Sequence, residues 1–314
     1  MSAADTPRMR PAQARVCIGL PVYNGERYLE TALRSLLSQS FADFELIISD
    51  NASTDRTNEI CLDYVGKDPR IRYNRNASNI GLLRNHNLVI EKATGEYFML
   101  AHYDDVRDSS YLARTVDVLD HDPSAVICHS LTADIDDEGN RLQAKEPSLR
   151  LASHDLRARF HDIIRMDHMC NAIFGLTRLS ALRNTRLHGY YADSDRVLLA
   201  ELVLRGRCHE VQEFLFFRRW HATQSTELAP GRQARTHWLI AGTDGQLVFP
   251  YFRQFEEYLA AILRAPVSWR DKLWCLGEMA RWTNTNRNRL LSDIEFAGRE
   301  ILRPLVHRIS KRAL

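Results

Sequence analysis

Short apolar runs alternate with amphipathic segments through the first hundred residues of the chain. The apolar runs have the length of buried strands and lie at 16–20, 44–49, 71–73 and 97–101. The segments between them carry apolar residues at helical spacing and lie at 26–38, 56–65 and 82–92. Because helical crossovers of this length join neighbouring strands in parallel, the pattern predicts an α/β fold with a mostly parallel central sheet flanked by helices.

The pattern continues less regularly beyond residue 105 and changes character near residue 226. We predict further helices at 110–119, 154–164, 179–184 and 197–204, and further strands at 125–129, 131–135, 171–177 and 208–217. The segment 143–153 is polar and lacks periodicity, which predicts a loop. Only helical patterns follow, at 236–241, 251–263, 269–282 and 292–314. The sequence therefore predicts a disordered leader over 1–14, an α/β domain over 15–225 and a helical extension over 226–314.

Composition excludes several classes of protein. A net charge of +2 in 314 residues is too small for nucleic acid to be the main partner. The sequence has no run of about 18 apolar residues, so we expect no membrane-spanning helix. The six cysteines are far apart and form no CxxC pair, which favours reduced thiols over disulfides or a zinc site. We therefore expect a cytoplasmic protein.

An apolar run that ends in acidic residues is the clearest local sign of a site. The run 97–101 is followed at once by His102, Tyr103, Asp104 and Asp105. Adjacent carboxylates at a buried strand end are unfavourable unless a positive charge meets them. Mg²⁺ commonly binds one or two carboxylates together with substrate phosphates, so these residues are candidate metal ligands. A solvated turn, in which aspartates are common, is the alternative.

Three segments that are distant in sequence are expected to meet at one edge of the sheet. In parallel sheets, ligands bind beyond the carboxyl ends of the strands. The loop at Tyr23, the acid Asp50 and the pair Asp104–Asp105 all follow strands at that end. This convergence favours a metal–phosphate site over a solvated turn. No GxGxxG or GxxxxGK[ST] motif follows the first strand, so we expect side chains and a metal to hold any bound nucleotide.

Several ordered pieces of the sequence resemble the family 2 glycosyltransferases, which have the GT-A nucleotide-sugar fold. These pieces are GLPVYNGERYLETALRSLLSQSF, ELIISDNASTDRT, NIGLLRNHNLVIEKATGEY, the acidic strand end, YYADSDRVLLAEL and FFRRWH. The resemblance covers about 16–225. It implies transfer of a sugar from a nucleoside-diphosphate sugar to an acceptor hydroxyl, assisted by a divalent cation, Mg²⁺ or Mn²⁺.

The resemblance also implies roles for individual residues. Residues of the first three loops and of the acidic strand end would bind the donor nucleotide: Pro21, Tyr23, Glu26, Asp50, Asn79, Gly81, Arg84 and Asp104. The acidic strand end and one late histidine would bind the metal: His102, Asp104, Asp105 and His221. The family commonly has an acid where this chain has His102, and neutral imidazole suits Mg²⁺ less well, so the identity of the metal stays open. For His221 the alternative is an ordinary strand-end histidine.

Family 2 enzymes look like inverting transferases, in which one carboxylate deprotonates the acceptor hydroxyl. The resemblance implies Asp195 as this base, with Asp193 as the second candidate. The alternative is that Asp195 only caps the helix that follows it. Arg218 and Arg219 would either meet phosphate or be solvated, and we expect one of the two to be solvated.

The C-terminal segment combines tryptophans with basic residues. From residue 264 onward the chain has eleven Lys and Arg residues and five Asp and Glu residues. The tryptophans of the predicted helical extension are Trp238, Trp269, Trp274 and Trp282. One interpretation is a helical flap that rests on the inner face of an anionic membrane or grips a lipid-linked acceptor. The interpretation that we favour is a helical unit that packs its aromatic residues on the α/β domain or forms a homodimer.

Two other functions compete with sugar transfer. A nucleotidyltransferase has the same kind of sheet, but its first loop would be rich in glycine with a basic residue, and the segment PVYNGE is not. A non-catalytic nucleotide-sugar-binding module is compatible with His102. The acceptor is open between a surface polysaccharide of the cell envelope, a glycolipid and a secondary metabolite, and we expect the loops 143–153 and 188–193 to select it.

Overall fold

The structure is a computed structural model that describes residues 14–142, 148–222, 232–240 and 247–310. Nearly all of the predicted leader lies outside these ranges, and so do residues 143–147 of the predicted polar loop. The predicted boundary near residue 226 also lies outside the described residues.

The strands of the described chain form one sheet of mostly parallel strands. They are β1 Val16–Val22, β2 Phe44–Asp50, β3 Ile71–Arg75, β4 Tyr97–Leu100, β5 Val106–Arg107, β6 Ala125–Ile135, β7 Leu176–Arg178 and β8 Arg207–Arg219. Their order in the sheet is β3-β2-β1-β4-β7-β6-β8-β5. Strands β3, β2, β1 and β4 pair in parallel, as do β6 and β8, whereas β7 and β5 run antiparallel to their neighbours. The predicted fold class is confirmed.

Helices connect the strands and cover both faces of the sheet. They are α1 Leu29–Leu37, α2 Thr57–Lys67, α3 Leu82–Lys92, α4 Tyr111–His121, α5 Leu156–Arg165, α6 Leu179–Arg183, α7 Ser194–Val203, α8 Arg232–Leu239, α9 Pro250–Arg264, α10 Trp269–Thr285 and α11 Arg287–Ser310. A short 3₁₀ helix, Asn171–Phe174, precedes β7. Each predicted helix therefore has an observed counterpart, with ends that differ by a few residues.

Strand β1 lies at the centre of the parallel half and determines where the loops meet. Val22 at its end pairs with Asp50 of β2, and Gly19 pairs with Leu100 of β4 on the other side. The chain builds β2 and β3 on one side of β1 and then crosses to the other side for β4. Such a reversal opens a crevice beyond the carboxyl ends of the strands. The crevice lies between the loops that follow β1 and β4.

Both faces of the sheet are buried, which explains why the strands are continuous apolar runs rather than alternating ones. Ile18 and Leu20 of β1 pack with Leu33 of α1 in the apolar core of one face. Cys17 of the same strand packs in the core of the other face, which includes Val89 of α3. Each fully buried Leu, Ile or Val side chain contributes about 1.5–3 kcal/mol relative to an exposed one. These contacts hold β1 rigidly beneath the crevice.

The predicted strand at 171–177 is wrong over most of its length. Residues Asn171–Phe174 form the 3₁₀ helix, and only Leu176–Arg178 pairs with the sheet. A Cβ atom at Gly175 would lie 2.8 Å from the carbonyl oxygen of Cys128 in β6. The backbone thus passes closer to β6 than a side chain permits, and the apolar run turns there instead of extending.

The predictions for the neighbouring strands also need correction. The two strands predicted at 125–129 and 131–135 are one strand, Ala125–Ile135, with register shifts on either side of Leu131. Ser130, which lies between the two predicted strands, donates its hydroxyl to the Leu131 carbonyl oxygen at 3.0 Å. Strand β5 was not predicted, because two residues are too short to show a pattern.

The C-terminal helices α9 and α10 pack against α7 and α5 respectively. Tyr258 and Met279 are buried in the same apolar core as α7. Trp282 is buried beside Phe255 and Tyr258, with ring centroids 6.1 Å and 5.8 Å away. Trp269, in contrast, is 70% exposed. Aromatic packing on the α/β domain therefore holds for Trp282 but not for Trp269.

None of the helices in the described ranges combines the length and the hydropathy that crossing a bilayer requires.

We expect Gly19→Ala to lower the free energy of unfolding by about 1–3 kcal/mol, because overpacking a core strains its neighbours. The added Cβ would lie 2.7 Å from side-chain atoms of both Phe98 and Val89. Urea unfolding followed by circular dichroism measures the change. Gly277→Ala is the matched control, since a Cβ there meets nothing within 4 Å and alanine favours the helix. Equal stability of the two variants would contradict the close packing at Gly19.

Candidate functional site

The loops that follow β1 and β2 are fastened to each other by hydrogen bonds. The Asn24 amide donates to Ser53 Oγ at 2.9 Å, and the Thr54 amide donates to Asn24 Oδ1 at 2.8 Å. Glu26 Oε2 accepts from the Arg56 amide at 3.0 Å. The side chains of Asn24 and Glu26 therefore set the shape of one continuous wall, and Glu26 contributes through this wall rather than standing free.

Asn51 joins this wall to the loop that follows β3. Its side-chain amide donates to Asn79 Oδ1 at 2.8 Å, and its Oδ1 accepts from the Ile80 amide at 2.9 Å. Asn79 Oδ1 also accepts from the Gly81 amide at 2.8 Å. Gly81 has a φ of 87°, which glycine adopts without strain, and it directly precedes α3. The loops that follow β1, β2 and β3 thus lie side by side at one edge of the sheet.

The predicted donor-binding residues differ in their exposure. Tyr23 is 39% exposed and Arg84 is also exposed, with its guanidinium 5.2 Å from the centre of the Tyr190 ring. Asn79 is exposed, whereas Pro21 is buried within β1. Tyr23, Glu26, Asn79 and Arg84 are therefore the exposed members of the predicted set.

Asp50 is fully buried and already has partners within the chain. One carboxylate oxygen accepts from the Ser53 amide at 2.8 Å. The other accepts from the Tyr73 hydroxyl at 2.8 Å and lies 3.2 Å from Arg75 Nε. In this arrangement the Asp50 carboxylate shapes the loop after β2, and it meets no solvent.

The acidic end of β4 forms a compact group of potential metal ligands. One ligand atom from each of His102, Asp104 and Asp105 lies within 4.8 Å of the others. His102 Nε2 is buried and has no hydrogen-bond partner among the residues that the structure describes. A neutral imidazole nitrogen with an unused lone pair beside two carboxylates is a donor set that fits a divalent cation.

Burial dominates the electrostatics of this group. Burial, together with the adjacent Asp104 carboxylate, raises the pKa of Asp105 to about 7. Burial also lowers the pKa of His102, so the imidazole is neutral near pH 7. The Arg219 amide donates to Asp105 Oδ1 at 3.0 Å. This amide and the positive charges of Arg107 and Arg218 oppose the rise in the pKa of Asp105 without cancelling it, and a bound cation would add a further positive charge beside both carboxylates.

His221 lies beside the group but is not among its three members. Its Nε2 is 2.9 Å from Asp104 Oδ2, within hydrogen-bond distance, and its ring centroid is 4.9 Å from that of Tyr28. Tyr28 in turn donates its hydroxyl to Asp137. His221 therefore orients Asp104, and no sequence motif indicated Tyr28 or Asp137 as neighbours of His221.

The expectation that one of the two arginines is solvated is wrong. Arg218 forms an ion pair with Asp134 at 2.7 Å and donates to Asn171 Oδ1 at 3.0 Å. Arg219 donates to the backbone carbonyl oxygens of Asp104 and Asp136, at 3.0 Å and 2.7 Å. Both side chains hold loops around the acidic group, because each has buried acceptors within reach.

Asp193 and Asp195 lie at the start of α7. Asp193 has a left-handed backbone with φ of 64°, and its side chain caps no helix amide. Asp195 lies in the first helical turn, where its Oδ1 accepts from the Arg196 amide at 2.9 Å. Burial, with a contribution from the Asp193 charge, raises the pKa of Asp195. Asp195 is therefore a carboxylate near a helix N-terminus whose proton affinity is increased.

The 3₁₀ helix Asn171–Phe174 lies between the metal-ligand group and Asp195. Just before it, the thiol of Cys170 interacts with the Asp195 carboxylate. At its other end, the Phe174 ring packs on His102 with centroids 4.6 Å apart. The segment that was predicted as a strand thus spans the interval between the metal-ligand group and Asp195.

A cavity of about 760 Å³ opens beside Asp195. Its walls come from the end of α5, the segment 166–170, the start of α7 and the C-terminal helices α9, α10 and α11. Residues of the loops after β1, β2 and β4 do not line it. The cavity therefore belongs to the Asp195 side of the site.

Two histidines that the sequence analysis did not single out extend from His102 into the protein. The rings of His86 and His188 are buried, and each His86–His102 and His86–His188 pair has centroids 5.2 Å apart. Burial lowers the pKa of His188 to about 4 and that of His86 well below its usual value. None of their four ring nitrogens has a hydrogen-bond partner within the described chain. The only available signal was the position of His86 on the apolar face of α3.

A family model supports the resemblance seen in the sequence. The model described as Glycosyl transferase family 2 matches residues 17–183, more than half of the chain. The match includes the first four strands and the acidic end of β4, and it stops before Asp193, Asp195 and the C-terminal helices.

Curated relatives match the same part of the chain. An uncharacterized glycosyltransferase of Haemophilus influenzae is 32% identical over 136 residues, which are 43% of this chain and 54% of that protein. The uncharacterized glycosyltransferase EpsJ of Bacillus subtilis is 37% identical over 99 residues, which are 32% of this chain and 28% of that protein. The aligned part thus spans about half of the relatives' length or less.

Solved structures match over nearly the whole chain. TarS 1-349 of S. aureus, in complex with UDP-GlcNAc, aligns with a TM-score of 0.65 at 16% identity, over 93% of this chain and 86% of that one. The mannosyltransferase PcManGT of Pyrobaculum calidifontis, in complex with GDP-Man and Mn²⁺, aligns with a TM-score of 0.50 at 15% identity, over 93% and 81%. At these identities the likeness shows the fold, which is of the GT-A type.

We expect Asp105→Asn to weaken Mn²⁺ binding by at least about ten-fold, since losing even an outer partner of a metal site costs 10–100-fold in affinity. Titration of Mn²⁺ followed by electron paramagnetic resonance, with UDP or GDP present, measures the affinity. Asp63→Asn is the control, because Asp63 is exposed and pairs only with Lys67 on α2. Unchanged Mn²⁺ affinity in both Asp104→Asn and Asp105→Asn would exclude this metal site.

Proposed function

Because this chain belongs to glycosyl transferase family 2, we propose that it transfers a sugar from a nucleoside-diphosphate sugar to an acceptor hydroxyl with inversion at the anomeric carbon. One observation carries the proposal most strongly. The ligand group His102, Asp104 and Asp105 lies at the crevice beside β1, where a sheet of this order binds ligands.

The donor would lie across the loops after β1, β2 and β3. Tyr23, Asn79 and Arg84 offer it an aromatic face, an amide and a positive charge that solvent reaches. Asp50 acts behind them by shaping the loop after β2, and Glu26, which is also exposed, fastens the loops after β1 and β2 to each other. The solved GT-A structures hold UDP-GlcNAc or GDP-Man, which supports a nucleoside-diphosphate sugar as the donor class.

Asp104, Asp105 and His102 would hold a divalent cation, Mg²⁺ or Mn²⁺. Such a cation, when bound, neutralises the charge that develops on a leaving diphosphate. Neighbouring residues hold the two carboxylates in position for the cation. The Arg219 amide fixes Asp105 Oδ1, and His221 fixes Asp104 Oδ2, so that the remaining oxygens can face the ligand. The presence of His102 favours Mn²⁺ over Mg²⁺, since imidazole is a poor Mg²⁺ ligand.

Asp195 is the proposed general base. Its Oδ1 accepts from the Arg196 amide and its carboxylate also meets the Cys170 thiol, and in this proposal the same carboxylate takes the proton of the acceptor hydroxyl. The raised pKa of Asp195 brings its proton affinity closer to that of neutral solution, as suits a base. Asp193 is the second candidate, but its Oδ1 already forms an ion pair with Arg235 at 3.4 Å.

The proposal extends to the division of the chain into units and to its cellular compartment. We assign the transferase unit to 15–225 and a helical extension to 226–314. The six free cysteines are all buried, which favours a reducing compartment and hence the cytoplasm, next to the synthesis of cell-envelope glycans.

The proposal predicts that substitution of Asp105 and substitution of Asp195 impair different steps of the reaction. Asp105→Asn should lose nucleotide-sugar binding in Mn²⁺ and therefore all turnover. Asp195→Asn should keep that binding but transfer sugar about 10²–10⁴-fold more slowly, because it lacks the base. Thermal shift with a panel of nucleotide sugars identifies the donor, and release of the nucleoside diphosphate measures turnover.

Asp63→Asn again serves as the control for both variants. Turnover at the wild-type rate in Asp105→Asn and Asp195→Asn would overturn the assignment of both residues. Binding of a nucleotide sugar without transfer or hydrolysis, under every metal and acceptor condition, would instead indicate a non-catalytic binding module.

A further inference from the structure

We propose that the cavity beside Asp195 is the acceptor site and that it selects acceptors in which a sugar or polyol hydroxyl lies next to a phosphate group. This inference rests on the proposed function, since it takes Asp195 as the base. It adds the chemical class of the acceptor, and it assigns recognition to the C-terminal helices.

The cavity has the size and the wall of a small-molecule site. Its volume of about 760 Å³ lies within the usual range of about 300–1,000 Å³ for such sites. Tyr251, Tyr258 and Trp282 contribute aromatic wall, and Gln254 contributes an amide. Aromatic surface with a few convergent polar groups suits the apolar face and the hydroxyls of a sugar or polyol.

Arginines outnumber carboxylates around the cavity. Four arginines line it: Arg165, Arg196, Arg235 and Arg289. Three aspartates line it: Asp167, Asp193 and Asp195. This leaves one more positive than negative side chain in this set. The cavity therefore attracts an anion.

The arginines differ in whether a carboxylate already satisfies them. Arg196 lies 3.4 Å from Asp167 and Arg235 lies 3.4 Å from Asp193. For Arg165 and Arg289, no carboxylate is within ion-pair distance in the ranges that the structure describes. They donate to neutral oxygens instead, Arg165 to Thr285 Oγ1 at 2.9 Å and Arg289 to Asn286 Oδ1 at 3.2 Å. Both guanidinium groups keep donors for a ligand.

Arg235 supplies a second, independent sign of a ligand. Its Nε is buried and has no hydrogen-bond partner in the described parts of the chain. A buried donor without an acceptor costs about 1–3 kcal/mol, so an acceptor oxygen at this place is favoured. Arginine binds phosphate through two parallel hydrogen bonds, which makes phosphate the anion that best fits several guanidinium groups.

Part of the cavity wall comes from the C-terminal helices, which is why the sequence analysis placed acceptor recognition elsewhere. It assigned selection to the loops 143–153 and 188–193. Arg289, Tyr251 and Trp282 belong to the helices after residue 247, beyond the segment that matches the family model. These helices pack on α5 and α7, and this packing brings their polar ends to Asp195.

The test uses the full chain and a double variant, Arg165→Gln with Arg289→Gln. Equilibrium binding is measured by calorimetry, with UDP or GDP and Mn²⁺ present, for two matched pairs of probes. The pairs are glucose 6-phosphate with glucose, and glycerol 3-phosphate with glycerol. Arg270→Gln is the matched control, because Arg270 is an exposed arginine of α10 that does not line the cavity. Circular dichroism and melting temperature check the fold of each variant.

We expect the wild type and Arg270→Gln to bind at least one phosphorylated probe about ten-fold or more tightly than its neutral partner, as charge-assisted hydrogen bonds provide. The double variant should lose this preference while its binding of the donor nucleotide stays unchanged. Equal binding of charged and neutral probes by the wild type overturns the proposal, and so does an unchanged preference in a folded double variant. Failure of both phosphorylated probes to bind also overturns it.

Two further measurements separate this inference from its premise and from a lipid source of phosphate. Donor binding and donor hydrolysis do not need an acceptor, so their absence would overturn the proposed function whatever the phosphate probes do. Sedimentation with phosphatidylcholine vesicles, with and without phosphatidic acid, locates the phosphate. Binding to phosphatidic acid that depends on Arg165 and Arg289 would place it on a lipid, whereas binding of soluble probes alone would place it on a free acceptor.

Discussion

Asp104 and Asp105 are held close together at a buried strand end, where burial and the adjacent Asp104 carboxylate raise the pKa of Asp105. The surrounding residues are arranged to keep this pair in place: the Arg219 amide holds Asp105, and His221 holds Asp104. Arg219 also binds the carbonyls of the turn after β6, so the same residue joins β8 to that turn. The buried sheet beneath the two carboxylates stabilises this arrangement. The negative charge of the pair gives the site its affinity for a cation.

His102 changes the charge and the ligand type of the metal-ligand group. A carboxylate there would add a third negative charge, whereas a neutral imidazole adds a nitrogen ligand and packs its ring on Phe174 and His86. The buried rings of His86 and His188 continue this apolar side, and burial lowers the pKa of each. The ligand group therefore combines one neutral imidazole with two carboxylates, and further neutral imidazoles lie behind His102.

The sequence predicted the part of the fold in which local pattern and burial coincide. The runs at β1, β2 and β4 are apolar because both faces of the sheet are covered, and their ends are polar because the loops meet solvent and ligand. Prediction failed where distant contacts decide. Asn171–Phe174 reads as a strand but turns, because β6 passes close to Gly175. The partners of Arg218 and Arg219 come from β6 and its turn, and the ring neighbours of His102 come from α3 and the 3₁₀ helix, which no local pattern reveals.

The C-terminal helices show how the two halves of the site depend on each other. They bury Tyr258 and Trp282 against the core of α7, and so they fix the helix whose first turn carries Asp195. From there the 3₁₀ helix leads back to the metal-ligand group, with Cys170 against Asp195 at one end and Phe174 against His102 at the other. A change in the packing of α9 or α10 therefore moves the proposed base relative to the proposed donor site. In a reaction whose rate depends on the distance between acceptor and donor, helices that touch neither reacting atom still control the chemistry.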